Sequence, residues 1–193
     1  MMMDEEKNKS GIKEKLPDFA AALIIMLLVN LCAILIYFAV MLVLNPFLAE
    51  LELRGGADTK AKLDAFRAVI CVILFYVFLG VISYHNPIEK GRFVNSPEGR
   101  NTSFRAQFTE FAKSQSWVQA ASYAIFCLPL HIVVSIFPDI KYLPTFFLPQ
   151  YGFITVTGSV WLSYVVNIAV YTLFMMIFIP LFRRIWDKNR LYK

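Results

Sequence analysis

Four stretches, each with 18 or more residues almost wholly apolar, lie within a chain of 193, and they leave few ways for it to fold. A helix that is apolar all round has to be buried, in protein or in lipid. About 20 such residues cross the hydrocarbon core of a bilayer. The runs are residues 19–44, 65–84, 117–137 and 153–182. Outside them are two tails, 1–18 and 183–193, and three connections, none long enough for a soluble domain. The sequence therefore predicts an all-α integral membrane protein. Residues 19–182 form one four-span domain built as two antiparallel hairpins, with a short amphipathic cytoplasmic helix before the third span.

Charge sets the expected sidedness. The net charge of +5 reads less as a nucleic-acid footprint than as the cytoplasmic bias of basic residues in polytopic proteins. Lys7, Lys9, Lys13 and Lys15 precede the first run. Lys90, Arg92, Arg100, Arg105 and Lys113 lie in the 85–116 connection. Arg183, Arg184, Lys188, Arg190 and Lys193 follow the last run. The opposite side has Arg54, Lys60, Lys62, Arg67 and Lys141. Both termini are thus expected in the cytoplasm, with the plasma or inner membrane as the location. The three cysteines, Cys32, Cys71 and Cys127, all fall inside runs and form no CxxC motif.

Taken in order, residues 1–18 read as a short disordered tail, and the first span runs to Asn45-Pro46, after which residues 47–53 either continue the helix or lie at the interface. Gly55-Gly56 marks a turn, with Asp58 or Thr59 available to cap the next helix. The connection 85–116 begins with turn chemistry at Asn86-Pro87, Gly91, Ser96-Pro97 and Gly99. It then changes character: Phe104, Phe108 and Phe111 recur at helical spacing, with Asn101 or Ser103 placed as N-cap. A Phe face flanked by basic residues suits an interfacial helix, and the same face could instead bury against neighbouring helices. Residues 138–152 are rich in Pro and aromatics, with Tyr142, Phe146, Phe147 and Tyr151 placed for an interfacial cap.

The polar residues inside the last two runs are ordered. Gln119, Tyr123, Cys127, His131 and Ser135 fall four apart, and so do Thr155, Ser159, Ser163, Asn167 and Tyr171. Rows at i±4 form ridges that seat in a neighbour's groove. Two successive spans with matching ridges are expected to face each other. Taking Trp117 and Leu181 as equally deep pairs His131 with Asn167, Cys127 with Tyr171 and Ser135 with Ser163.

The chemistry is sparse. No Asp or Glu lies within a run, whereas proton-coupled transport commonly uses an intramembrane carboxylate. HExxH, GxSxG and Walker A sequences are missing. Cys127 and His131, one turn apart across Pro129, make a thiol–imidazole pair that lacks an orienting acid or further ligands; packing at a proline kink is the plainer reading. The expectation is a non-catalytic accessory or assembly subunit acting through helix–helix contacts. Its partners are the lipid bilayer and a membrane protein or a second copy of itself. Cofactors and nucleic acid are not expected. The alternative is an oligomeric transporter or channel component whose pathway the two ridges line.

The topology has a direct check in a chain whose native cysteines are replaced. An impermeant thiol reagent applied to intact cells should label a cysteine at Lys60 or Lys141 and leave one at Arg100 or Lys188 unlabelled. Labelling at position 100 from outside overturns the orientation.

Overall fold

The computed structural model describes the backbone of residues 2–86, 90, 103–137 and 148–191, with side chains from residue 19 onward except 57, 114, 148 and 189–191. These residues contain helices and no strand. The first helical stretch, Met2–Tyr84, is broken at Gly56, and its arms carry two candidate spans, Phe19–Gly56 (α1) and Asp58–Tyr84 (α2). Then come α3 (Phe104–Ser114), α4 (Ser116–Ile136), α5 (Leu148–Thr157) and α6 (Val160–Leu191). Four helices are long and apolar enough to cross a membrane: α1, α2, α4 and, within α6, Val160–Lys188.

Each long helix buries one stripe at three- and four-residue spacing. On α1 it is Ala22, Met26, Val29, Ala33, Tyr37 and Met41. On α6 it is Tyr171, Met175, Ile179, Phe182 and Trp186. The remaining faces are apolar and open: Leu42 is 80% exposed and Val165 63%. Only 22–39% of the most apolar window of each span is buried. Monomeric water-soluble proteins rarely leave contiguous apolar surface on that scale.

Glycine sits at the break between α1 and α2 and at the one between α5 and α6. Gly56 has φ 69°, a backbone conformation open to a residue without Cβ. Lys60 is thereby brought back to Glu52, at 3.6 Å, and Thr59 donates its hydroxyl to the Gly55 carbonyl. Gly158 has φ 66° and ends α5, its N–H donating to the Ile154 carbonyl, a common helix stop.

Several expectations give way here. Residues 2–18 are helical and continuous with α1, since Lys, Glu and Met are good helix formers. Of the two courses open past Pro46, α1 takes the helical one and continues to Gly56. The stretch Phe47–Leu53 has strong helix propensity, and Glu50 pairs with Arg54 one turn on. The run 153–182 is not one helix: the break at Gly158-Ser159 divides it. At the end of the 138–152 connection Pro149, Gln150 and Gly152 are buried and Tyr151 is half-buried; Tyr142, Phe146 and Phe147 lie outside the described residues, as does the turn-rich 91–102. Ser103 does cap α3, accepting from the Ala106 N–H. On α3, Phe104 and Phe108 are half-buried, and Phe111 is enclosed beneath the Arg183 guanidinium, 5.8 Å from its ring centroid.

α5 lies against both the α1–α2 stretch and α6. Its closest approach is at Gly152, where a methyl group would stand 2.5 Å from Val72 Cγ2 and 2.8 Å from the Ala68 carbonyl oxygen. Gly152→Ala should therefore cost about 1–3 kcal/mol, the usual penalty of overpacking, and Gly158→Ala about 1–2 kcal/mol for the positive φ. Gly80→Ala, whose methyl meets only Phe174 at 3.7 Å, should be near neutral. Thermal unfolding in mild detergent reads all three, and an unchanged midpoint for Gly152→Ala contradicts the seating of α5.

Candidate functional site

The i±4 rows of α4 and α6 meet along one seam. On α4 the row presents Gln119, Tyr123, Cys127 and His131; on α6 it presents Ser163, Asn167 and Tyr171. Tyr123, Cys127, His131, Ser163, Asn167 and Tyr171 are all buried. The Tyr171 hydroxyl donates to Gln119 Oε1 at 3.1 Å. The Tyr123 hydroxyl donates to Asn167 Oδ1 at 2.9 Å. His131 Nε2 lies 3.3 Å from Ser163 Oγ. The Tyr123 and Tyr171 rings stack face on, centroids 3.9 Å apart and planes 1° from parallel.

The register differs from expectation by one to two steps along the ridge. His131 meets Ser163, and Asn167 goes to Tyr123. The Tyr171 hydroxyl goes to Gln119 and not to Cys127, and Ser135 is exposed. Taking Trp117 and Leu181 as equally deep therefore sets the partner of each α4 residue one to two turns too far along α6. Three ridge members fall off the seam altogether. Ser135 is exposed beside the end of α4. Thr155 belongs to α5 and returns its hydroxyl to the Tyr151 carbonyl. Ser159 sits exposed in the break, where its hydroxyl accepts from the Leu162 N–H.

His131 has a defined proton arrangement. Its Nδ1 lies 2.9 Å from the Cys127 carbonyl, which can only accept, so Nδ1 carries the hydrogen. In the neutral ring Nε2 then accepts from Ser163. The Ser163 hydroxyl has one proton and a second acceptor within reach, the Val160 carbonyl at 2.6 Å. The imidazole thus engages the backbone of Cys127 and not its thiol, so the pair lacks the base-to-thiol contact of an activated nucleophile. Pro129 leaves the helix locally short of a donor. Nearby, the Tyr164 hydroxyl donates to the Ala124 carbonyl at 3.0 Å, and its ring lies edge-on to His131.

Gln150 is the member that sequence periodicity misses. It enters from α5, fully buried, and its Nε2 donates to Cys127 Sγ. A single amide in a Pro- and aromatic-rich connection belongs to no row, so only the fold brings it in. Around this centre Gln150 Oε1, Asn167 Nδ2 and the Tyr76 hydroxyl are buried without a hydrogen-bond partner. Among the described residues no three His, Cys, Asp or Glu side chains come together as a metal site would need. The cluster is neutral and suited to hydrogen bonding. No family model, curated protein or solved structure matches the chain.

Hydrogen bonds between helices in membrane proteins average about 0.6 kcal/mol and reach about 1.7. Tyr123→Phe and Asn167→Leu should each destabilise modestly. Combined, they should show a coupling near that average in a double-mutant cycle read by unfolding in detergent. Strict additivity would contradict a direct Tyr123–Asn167 bond.

Proposed function

We propose that this chain is a four-span integral membrane protein, folded as two antiparallel hairpins, that serves as a non-catalytic accessory or assembly subunit through helix–helix contacts. The observation that carries this reading is the α4–α6 seam. Its polar side chains bond to one another directly, Tyr123 to Asn167, Tyr171 to Gln119 and His131 to Ser163, with stacked rings between them. A water-filled pathway needs such groups turned toward a lumen; here they hold two helices together. The open apolar faces of the long helices support lipid contact and leave room for a partner's helix. The basic residues of the tails and of the 85–116 connection support cytoplasmic termini in the plasma or inner membrane. α3 is then an amphipathic helix on the cytoplasmic side, with Phe111 turned inward against α6 and Phe104 and Phe108 toward the membrane interface.

A second reading, an oligomeric transporter or channel component, draws on one observation. Gln150 Oε1, Asn167 Nδ2 and the Tyr76 hydroxyl are enclosed without partners, and a file of water or a passing polar solute would satisfy them.

Cys127 separates the two. In a chain whose Cys32 and Cys71 are replaced by Ala, a water-soluble thiol reagent should modify Cys127 in membranes only after denaturation. Purification from native membranes in mild detergent should bring a second, different chain in fixed ratio. Rapid modification of Cys127, together with a homo-oligomer alone, replaces the accessory reading with transport.

A further inference from the structure

One feature of the molecule is used neither by the seam nor by the seating of α5. α5 lies against α2 at Ala68 and Val72. Further along, toward Tyr84, α2 and α6 meet through aromatic rings, Tyr76 with Phe174 at 5.0 Å and Tyr84 with Phe182 at 5.5 Å. On the outside of that junction lies a groove of about 570 Å³. Ile73 stands at one end and His85 at the other; Gly80 forms the floor, and Phe174, Phe178 and Phe182 form the far wall. A methyl at Gly80 would stand in ordinary contact with Phe174, at 3.7 Å, so a side chain larger than that would reach into the groove.

We infer that this groove holds one acyl chain of a phospholipid, with the phosphate at the His85 end. The inference rests on the reading that the four long helices lie in a bilayer. Length selects the occupant. From Ile73 to His85 the groove follows α2 for about 18 Å at 1.5 Å per residue, close to the ~15 Å of hydrocarbon in one leaflet. A partner's helix, about 10 Å across, would run through both leaflets and need a continuous channel. This groove ends at Ile73, near the level where α5 packs on α2. Chemistry agrees: the walls are carbon, and Tyr76 lends its ring while its hydroxyl is enclosed. At the open end His85 is exposed, and Lys90, Arg184 and Lys188 are exposed on the segments that leave α2 and α6, where Asp187 is the half-exposed acid among the described residues and the sequence adds Glu89 beside Lys90. That balance favours a phosphate.

The test uses the full chain reconstituted in phosphatidylcholine vesicles doped with a phosphatidylcholine that carries a diazirine near the end of one acyl chain. After photolysis, adducts should concentrate on residues 73–81 and 174–178, above those on the exposed α1 face at Leu27, Leu31 and Leu35. Gly80→Leu should plug the groove and lower its labelling to the level of the α1 face, leaving that face unchanged. Phe178→Ala, which widens the groove without filling it, should keep the labelling high and guards against a Gly80 variant that misfolds. Uniform labelling of all exposed faces, or undiminished groove labelling in a folded Gly80→Leu chain, overturns the inference while leaving the membrane reading intact. A co-purified chain that crosslinks at Gly80 and excludes the lipid probe also overturns it. An unlabelled α1 face overturns the membrane reading, and the acyl chain with it.

Discussion

A buried hydrogen-bonding group has no solvent to fall back on, so it must find its partner inside the protein or remain unsatisfied at a cost. Much of this structure is arranged around that constraint at the α4–α6 seam. Tyr123 is its centre: the ring stacks on Tyr171, and the hydroxyl is committed to Asn167. The other elements attach to this pair. α2 reaches it through Phe75, whose ring is 6.3 Å from Tyr123. α5 reaches it through Gln150 on Cys127, one turn along α4. α1 joins the same cluster through Ala22, Met26 and Val29.

The long helices are held by shape and small increments. Where the surroundings are as apolar as the side chains, exclusion of water contributes little to helix association, and close contact with a few hydrogen bonds does the work. Gly152 fits this regime, bringing the α5 backbone onto α2 with no side chain between. So does the aromatic chain Tyr84, Phe182 and Trp186 at the far end of the bundle, with Arg183 over Phe111 tying α3 to α6. None of these contacts is large alone. Their sum over several helices fixes one arrangement.

The helices were legible in the sequence because apolar runs of this length admit little else, and the seam was legible because polar residues four apart stand out in apolar surroundings. The seam's register was not. It depended on taking Trp117 and Leu181 as equally deep, and the apolar-to-basic change at the end of the run marks composition and not the level at which two helices meet. The division of the last run was missed for a related reason. Thr157-Gly158-Ser159 is a turn signal embedded among apolar residues, and hydropathy averages across it. Thr155 and Ser159 were consequently assigned to a ridge they do not join, and Gln150, which does join the centre, had no periodicity to announce it. Past Pro46 the sequence left two courses open for residues 47–53, and the helix continues to the break at Gly56 because those residues favour it.

The short length of α5 bears on how the molecule is made. A helix of ten residues falls well short of the roughly 20 that secure a segment in a bilayer unaided, so it needs a seat supplied by other parts of the chain. That seat consists of Ala68 and Val72 on α2 and Cys127 on α4, all of which leave the ribosome before α5 does. In chain order the seat therefore precedes its insert, and α6, which also lies against α5, follows both.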